Sequence, residues 1–347
     1  MGAERQSPRR RPATVGVAIG ELILDGAAAA DLLPAEARAA AMACRSDRLN
    51  ELMALGREAS RALRRGLSRL LSDPAPIAYH GRASSIVASG AEARRPIGQA
   101  PPRDGTPPEV RPSRGLDYEL ELGVYIGAPS RQGRPIPIGE AADHTFGVCL
   151  LNDWSARDIQ AWEYQPLGPF LSKNFATSVS PWVVTAEALE PFRVAPRARP
   201  EGDPAPLPYL NSPSDQAEGG YAIGMEAWVS TAGMRASGLR PTRLSRADAS
   251  DLYWAIGQMI AHHGSGGCGL NSGDLLGSGT VSGPERREAG CLLEIAVRGA
   301  EPVRLPSSET RSFLEDGDEV VLTARCEREG YVGIGLGECR GIVSPAA

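Results

Sequence analysis

Between Asp117 and Ile126 the chain reads Asp-Tyr-Glu-Leu-Glu-Leu-Gly-Val-Tyr-Ile, an alternation with the period of a β-strand, whose successive side chains point to opposite faces. Glu119 and Glu121 then share one face, and Leu120, Leu122 and Val124 share the other. Paired carboxylates on one face of a half-buried strand repel each other unless something positive lies between them. A divalent cation meets that requirement. A second apolar run, Phe146-Gly-Val-Cys-Leu-Leu-Asn152, ends on Asp153, at the kind of strand-to-loop junction where ligands commonly reside, and offers a third carboxylate.

Strand-like patterning extends over most of the chain. From Pro74 to the end, short apolar runs are punctuated by Gly and Pro, which number 40 and 29 in the whole sequence, so sheet is expected to dominate. Segments 291–297 and 318–324 read as further strands, and 15–24 as a short hairpin. Residues 34–71 are rich in Ala, Leu and Arg, with Leu49, Leu52, Met53, Leu63, Leu67 and Leu70 at helical spacings. Segments 100–114 and 195–220, rich in Pro, Gly and charge, read as surface loops. A helix is expected over 245–263, with Ser245 and Asp248 as its capping box, an apolar stripe from Leu252 to Ile260, and the glycines after His263 as its stop. With 347 residues the chain has room for one large domain and a smaller one. The expected division is a disordered tail 1–12, a small region 13–73 and a large β-rich domain 74–347.

Composition narrows the function. A net charge of -5, with no basic patch interleaved with aromatics, argues against nucleic acid. The one basic run, Arg9-Arg10-Arg11, falls in the tail. The apolar stretch 13–20 does not read as a secretory signal, because Val15, Val17 and Ile19 alternate with smaller residues and Glu21 and Asp25 follow. No run of 18 apolar residues occurs, so a membrane span is not expected and a cytoplasmic location is. The six cysteines show no zinc-like spacing and imply no disulfides.

Three carboxylates suit a hard cation, Mg²⁺ or Ca²⁺, with water completing its shell. The same pattern fits a solvated strand face with Asn152 or Asp153 capping the next turn. If Asp153 opens a helical turn, Arg157 and Gln160 stand on its face at i+4 and i+7, where a guanidinium and an amide could hold the carboxylate and carbonyl of a small acid. A plain Asp-Arg pair is the alternative. Lys173 is either a site cation or a loop lysine, and the glycines of 273–283, around Thr280, either approach a ligand or only form turns. Gly264-Ser-Gly-Gly-Cys-Gly269 matches the dinucleotide pattern GxGxxG but follows a helix, which excludes that reading. Among the four histidines, His262 and His263 end a helix, His144 has no evident partner, and His80, in a polar loop, is the candidate general base.

Several ordered segments, Tyr79-His-Gly-Arg-Ala-Ser-Ser85, Asp117-Tyr-Glu-Leu-Glu-Leu122, Leu151-Asn-Asp-Trp-Ser-Ala-Arg-Asp-Ile-Gln160, Trp162-Glu-Tyr-Gln-Pro-Leu-Gly-Pro-Phe170 and Gly277-Ser-Gly-Thr-Val-Ser-Gly-Pro-Glu285, resemble the fumarylacetoacetate hydrolase family, and its longer members more than its shorter prokaryotic ones. The match runs from Pro74 nearly to the end and is weaker over 15–71. The resemblance implies a mixed, mainly β fold: a small amino-terminal SH3-like and helical domain, then a β-sandwich roll, assembled as a homodimer. It implies metal-dependent hydrolysis of the carbon-carbon bond of a diketo acid, 4-fumarylacetoacetate, to fumarate and acetoacetate in tyrosine and phenylalanine catabolism.

By the same resemblance Glu119, Glu121 and Asp153 would bind Mg²⁺ or Ca²⁺, with Thr177 a further metal-site residue. Tyr79, Arg157, Gln160 and Thr280 would contact substrate, Lys173 would stabilise developing charge, and Glu294 would orient a water-activating histidine. In the family that histidine lies in a stretch preceding the Tyr-His-Gly-Arg element, with another metal aspartate and a substrate tyrosine and arginine. Here 70–80 reads Leu-Leu-Ser-Asp-Pro-Ala-Pro-Ile-Ala-Tyr-His, without that stretch, and His80 matches a noncatalytic position. Two outcomes therefore stand beside hydrolysis: a noncatalytic relative that binds a metal-chelated acid, and a keto-acid isomerase or decarboxylase.

Overall fold

Alternation at 117–126 builds a buried strand, Leu120–Ile126, in the main hydrophobic core. The computed structural model describes residues 16–19, 22–46, 50–56, 58–63, 76–101, 107–165, 168–200 and 202–347. The chain divides into two compact units, Met1–Pro74 with Arg199–Ala205, and Ala75–Ala198 with Pro206–Ala347. The expected tail 1–12, the junction at 73–74 and the residues Leu49, Leu67 and Leu70 lie outside the described residues.

In the first unit Gly16–Ile19 pairs antiparallel with Leu22–Asp25, the expected hairpin. Asp25 ends it by accepting the amides of Ala27 and Ala28 at 3.0 and 3.1 Å. The helix Ala35–Ala43 follows, and Ala37, Ala40 and Ala41, at i, i+3 and i+4, make its buried stripe. Leu63 joins that cluster, whereas Met53, expected on the apolar stripe, is 71% exposed.

The second unit holds two large sheets. In the first, the strands run in the order Leu275–Gly277, Leu120–Ile126, Thr145–Asp153, Thr177–Val179 and Ile86–Ala88, with Val184–Thr185 on the far end of Thr145–Asp153. In the second the order is Thr242–Asp248, Gly224–Ser230, Glu319–Cys326, Ile334–Ser344 and Glu92–Arg94. Each sheet is antiparallel except at one edge, where Ile86–Ala88 and Glu92–Arg94 add parallel. Leu120, Leu122, Val124 and Ile126 from the first sheet meet Met225, Ala227, Val229, Val320 and Leu322 from the second in one continuous core. The mixed, mainly β architecture expected from the sequence is what is observed, and strand 318–324 appears as Glu319–Cys326.

Four local expectations are corrected. Segment 245–263 is not one helix: Thr242–Asp248 is a strand in which Ser245 and Ala247 are buried while Arg246 between them is exposed, a period of two rather than 3.6. Ala249–Asp251 is a 3-10 turn and only Ile256–Gly264 is α-helical, its start held by Gln258, whose Oε1 accepts the Ala255 amide at 3.0 Å. Segment 291–297 is not a strand either. Leu292–Ile295 is a short helix, because the Asp117 carboxylate, distant in sequence, accepts the amides of Leu292 and Leu293 at 2.8 and 3.0 Å. Segment 100–114 contributes to a strand pair, Ile97–Ala100 with Glu109–Pro112. Within 195–220, Ser212 caps a helix, Pro213–Glu218.

Candidate active site

The register of the first sheet sets the site. Glu121 stands opposite Leu151, and Thr177 opposite Asp153, so Glu121, Asp153 and Thr177 project from the face away from the core. Glu119, just before the strand, completes a trio of buried carboxylates with one oxygen of each within 4.8 Å of the others. The strand is buried on both faces rather than half buried, with only Tyr125 partly accessible. Room for Glu121 comes from Gly277, where a Cβ would lie 2.8 Å from Glu121 Oε2. Two residues on, the amide of Gly279 donates to that oxygen at 3.0 Å.

Two cations enter this acidic group. Lys173, only 4% exposed, donates to Glu119 and, at 3.0 Å, to Asp153 Oδ2. It is therefore no ordinary loop lysine. Arg157 donates to Glu119 Oε1 from Nη1 at 2.7 Å and to Asp117 Oδ2 from Nε at 2.9 Å. The expected helical turn opening on Asp153 is corrected: the helix is Arg157–Glu163, Asp153 ends its strand, and Arg157 pairs with Asp117 and Glu119 instead of Asp153. Arg157 and Gln160 do share a helix face, at i and i+3, and Gln160 Oε1 accepts from Arg157 Nη1 at 3.1 Å. Tyr79 donates its hydroxyl to Asp153 Oδ2 at 2.5 Å, and Thr177 Oγ1 reaches Asp153 Oδ1 at 3.4 Å. Arg157 Nη2 is buried without a hydrogen-bond partner, a donor left for something else.

Burial dominates the electrostatics, and the cations decide which carboxylate escapes it. Burial alone would raise Glu119, but Lys173 and Arg157 hold it down to about 2. Glu121 has no cation of its own, so burial and the charge of Glu119 push it well above the carboxylate range. Burial also raises Asp153, against the pull of Lys173. Asp117 is raised by burial, although Arg157 and the Leu292 and Leu293 amides favour its ionised form. Burial would lower Lys173, but Glu119 and Asp153 raise it. Tyr79 is pushed up by burial and by the charge of Asp153.

Four carboxylates thus face two cations, leaving two negative charges when all are ionised. That donor set, all hard oxygens with a two-charge deficit, fits a divalent cation held by Glu119, Glu121 and Asp153.

Thr280 lies one residue from Val281, whose amide bonds Leu120 O at 2.8 Å, so the chain carries it past the acidic end of the strand. Glu294 is exposed, and its Oε2 accepts from Ser282 at 2.7 Å and from Cys291 Sγ at 3.2 Å. The histidines sit elsewhere. His144 Nδ1 lies 2.7 Å from Ala128 O, a partner the sequence did not suggest, and His262 Nδ1 lies 2.8 Å from the Tyr209 hydroxyl. His80 is exposed.

Sequence reasoning gave no role to Asp117, although the alternation that selected Glu119 and Glu121 places it at the same parity, two residues earlier. It also passed over Glu163, which accepts four hydrogen bonds from residues 170–172. For Lys173 a signal was present in plain counts: the chain has 36 arginines and a single lysine, and this is it. A chain that uses arginine for every other cation keeps a compact, deprotonatable ammonium at one place.

Comparison with known proteins identifies the family. The model for the fumarylacetoacetate hydrolase carboxyl-terminal domain matches residues 53–344, and that for the fumarylacetoacetase amino-terminal domain matches 3–92. Fumarylacetoacetases from Bos taurus and Arabidopsis thaliana are each 48% identical over 271 residues, 78% of this chain. The chain spans 62% of the length of these curated relatives. A solved fumarylpyruvate hydrolase from Pseudomonas aeruginosa, in complex with Mn²⁺ and pyruvate, is 19% identical, covering 77% of this chain and 78% of its own, with a TM-score of 0.43. No helix among the described residues is long and apolar enough to cross a membrane. With a carboxyl-terminal family model matching most of this chain, and relatives identical at nearly half of the aligned positions, the chain belongs to the fumarylacetoacetate hydrolase family.

Proposed function

We propose that this protein is a divalent-metal-dependent hydrolase of a carbon-carbon bond in a small diketo acid, of the fumarylacetoacetate type. One observation carries the reading: three mutually close buried carboxylates stand beside a buried lysine and an arginine with a spare, buried N–H. Glu119, Glu121 and Asp153 would hold Mg²⁺, Ca²⁺ or a similar ion. When bound there, such an ion supplies a Lewis acid for the keto oxygens and the departing enolate.

The chain's own residues supply the rest. Arg157 and Gln160 stand on one helix face beside Glu119, and Arg157 Nη2 offers a donor to a substrate carboxylate. Lys173 keeps a full positive charge at the carboxylates, where negative charge on a leaving group would be stabilised. The Tyr79 hydroxyl, hydrogen-bonded to Asp153, stays protonated and orients that carboxylate. Burial of Glu119, Glu121, Asp153 and Lys173 excludes water from the carboxylates and strengthens the interactions they make.

A second reading, isomerisation or decarboxylation of a related keto acid, is favoured by which groups at the site bear protons. Among them are the Tyr79 hydroxyl and the Lys173 ammonium, both on Asp153, while His144 and His262 are engaged elsewhere. Incubating the purified protein with fumarylacetoacetate, with Mg²⁺ or with chelator, and identifying products by mass spectrometry separates the two. Fumarate and acetoacetate support hydrolysis, and an isomer or a decarboxylated acid supports the second reading. No product above a Glu121→Gln control sinks both, and calorimetry with Mg²⁺ and fumarate then decides whether binding alone remains.

A further inference from the structure

The helix Arg157–Glu163 brings Arg157 to Glu119 from its first residue, and its last residue reaches a different part of the chain. A carboxylate in the last turn of a helix faces the negative end of the helix dipole, so position alone disfavours Glu163. Its surroundings explain it. Glu163 Oε1 accepts the amides of Phe170 and Ser172 at 2.7 and 2.8 Å and the Ser172 hydroxyl at 2.6 Å, and Oε2 accepts the Leu171 amide at 3.0 Å. Three consecutive amides on one carboxylate gather the backbone into a turn. That turn is tied further by Ala156, whose amide donates to Ser172 O at 2.9 Å, and by the amides of Lys173 and Asn174, which return to Phe170 O at 3.1 and 2.9 Å.

The residue directly after the gathered amides is Lys173. A lysine ammonium sits on a flexible four-carbon stem, so its placement between Glu119 and Asp153 depends on how firmly its backbone is held. The helix therefore places both cations of the site, Arg157 from its first residue and Lys173 through the carboxylate on its last.

We propose that Glu163 is a positioning residue: by clasping the amides of residues 170–172 it holds Lys173 against Glu119 and Asp153. The inference rests on reading Lys173 as the cation that stabilises developing charge, and it adds the group that keeps it in place. Glu163 itself acts through the backbone turn and not on the reacting atoms.

The single lysine makes the test specific, since no other ε-amine exists in the chain. Reductive methylation with formaldehyde, followed by peptide mass spectrometry, reads how often Lys173 leaves its carboxylates. Losing charge-assisted hydrogen bonds should open the turn and speed labelling about 10-fold or more in Glu163→Gln. Glu163→Asp, which keeps the charge, should fall between that variant and the wild type. Turnover should drop in kcat with KM nearly unchanged, whereas a general loss of folded protein would leave both constants of the remaining enzyme unaltered. Labelling equal to wild type in a folded Glu163→Gln protein overturns the proposal. Should that variant fail to fold, Ser172→Ala, which removes one of the four donors, carries the test with an expected rise of about 3-fold, and no rise overturns it. Labelling needs no turnover, so this outcome is independent of whether the proposed reaction occurs.

Discussion

Two arginines, the largely buried Arg157 and the buried Arg311, sit in acidic surroundings with opposite outcomes. Arg311 meets Asp318 through two bonds, from Nε at 2.7 Å and Nη2 at 3.0 Å. Its Nη1 donates to Thr310 O at 3.0 Å, and Nη2 also reaches Glu309 at 3.2 Å. Every guanidinium nitrogen has a partner. Arg157 shares Glu119 with Lys173, stands in a group with surplus negative charge, and leaves Nη2 unpaired. A closed network of this kind cannot lose one partner cheaply, because what remains is an unpaired buried charge. An open one, short of two positive charges when its carboxylates are all ionised and with a donor to spare, is costly to the folded chain alone and is the kind that a ligand would complete.

The largest expected effect breaks the closed network. Asp318→Asn should lower stability by about 3–5 kcal/mol in urea unfolding while leaving turnover per folded molecule unchanged. Glu121→Gln should do the reverse, reducing turnover about 10²–10³-fold with stability equal or higher, since a neutral amide suits a site where burial and Glu119 already disfavour the ionised carboxylate. If Asp318→Asn abolished the chemistry of folded protein, or Glu121→Gln unfolded it, the contrast would be wrong.

Cation binding sharpens the comparison next. At about a hundredfold excess over its dissociation constant, Mg²⁺ or Mn²⁺ should stabilise the wild type by about 2.7 kcal/mol, seen as a raised melting temperature. Asp318→Asn should gain the same increment, and Glu121→Gln little of it. A gain in Glu121→Gln equal to wild type would place the ion elsewhere.

The smallest effect concerns a closed network one residue from Arg157. Asp158 accepts from Ser113 Oγ at 2.6 Å, Arg114 N at 2.9 Å and Arg111 Nη1 at 2.8 Å. Burial alone would raise its carboxyl, but the bonds from Ser113, Arg114 and Arg111 hold it below the ordinary range. A carboxyl depressed on folding stabilises fully above its unfolded pKa, near 4, and that stabilisation is lost as pH falls through the folded value. The gap between wild type and Asp158→Asn, about 1–2 kcal/mol at neutral pH, should therefore narrow below about pH 4. Urea midpoints measured from pH 7 to pH 3 check the sign, and a gap that widens on acidification would refute it.

Much of the site was legible because its signal is local. Alternation set the faces of Leu120–Ile126, and the ordered run from Asn152 to Gln160 identified Asp153, Arg157 and Gln160 in advance. The failures share a cause. Residues 245–263 look helical because Ala, Asp and Leu tolerate a helix, yet pairing with Gly224–Ser230 draws their first part into a sheet. Residues 291–297 look like a strand, yet the carboxylate of Asp117 captures two of their amides and nucleates a turn of helix. Neither partner is near in sequence, so no window of residues contains the information.

By itself the sequence determined the mainly β class, the separation of acidic and apolar faces at 119–124, the carboxylate trio and membership of the family, because these follow from backbone periodicity and ordered motifs. Only the tertiary structure decided what sits among the carboxylates. Lys173 and Arg157 reach Glu119 from 54 and 38 residues away, leaving Glu121 without a cation and Arg157 Nη2 without an acceptor. Charge compensation in a buried site depends on distance in space, and distance along the chain does not reveal it.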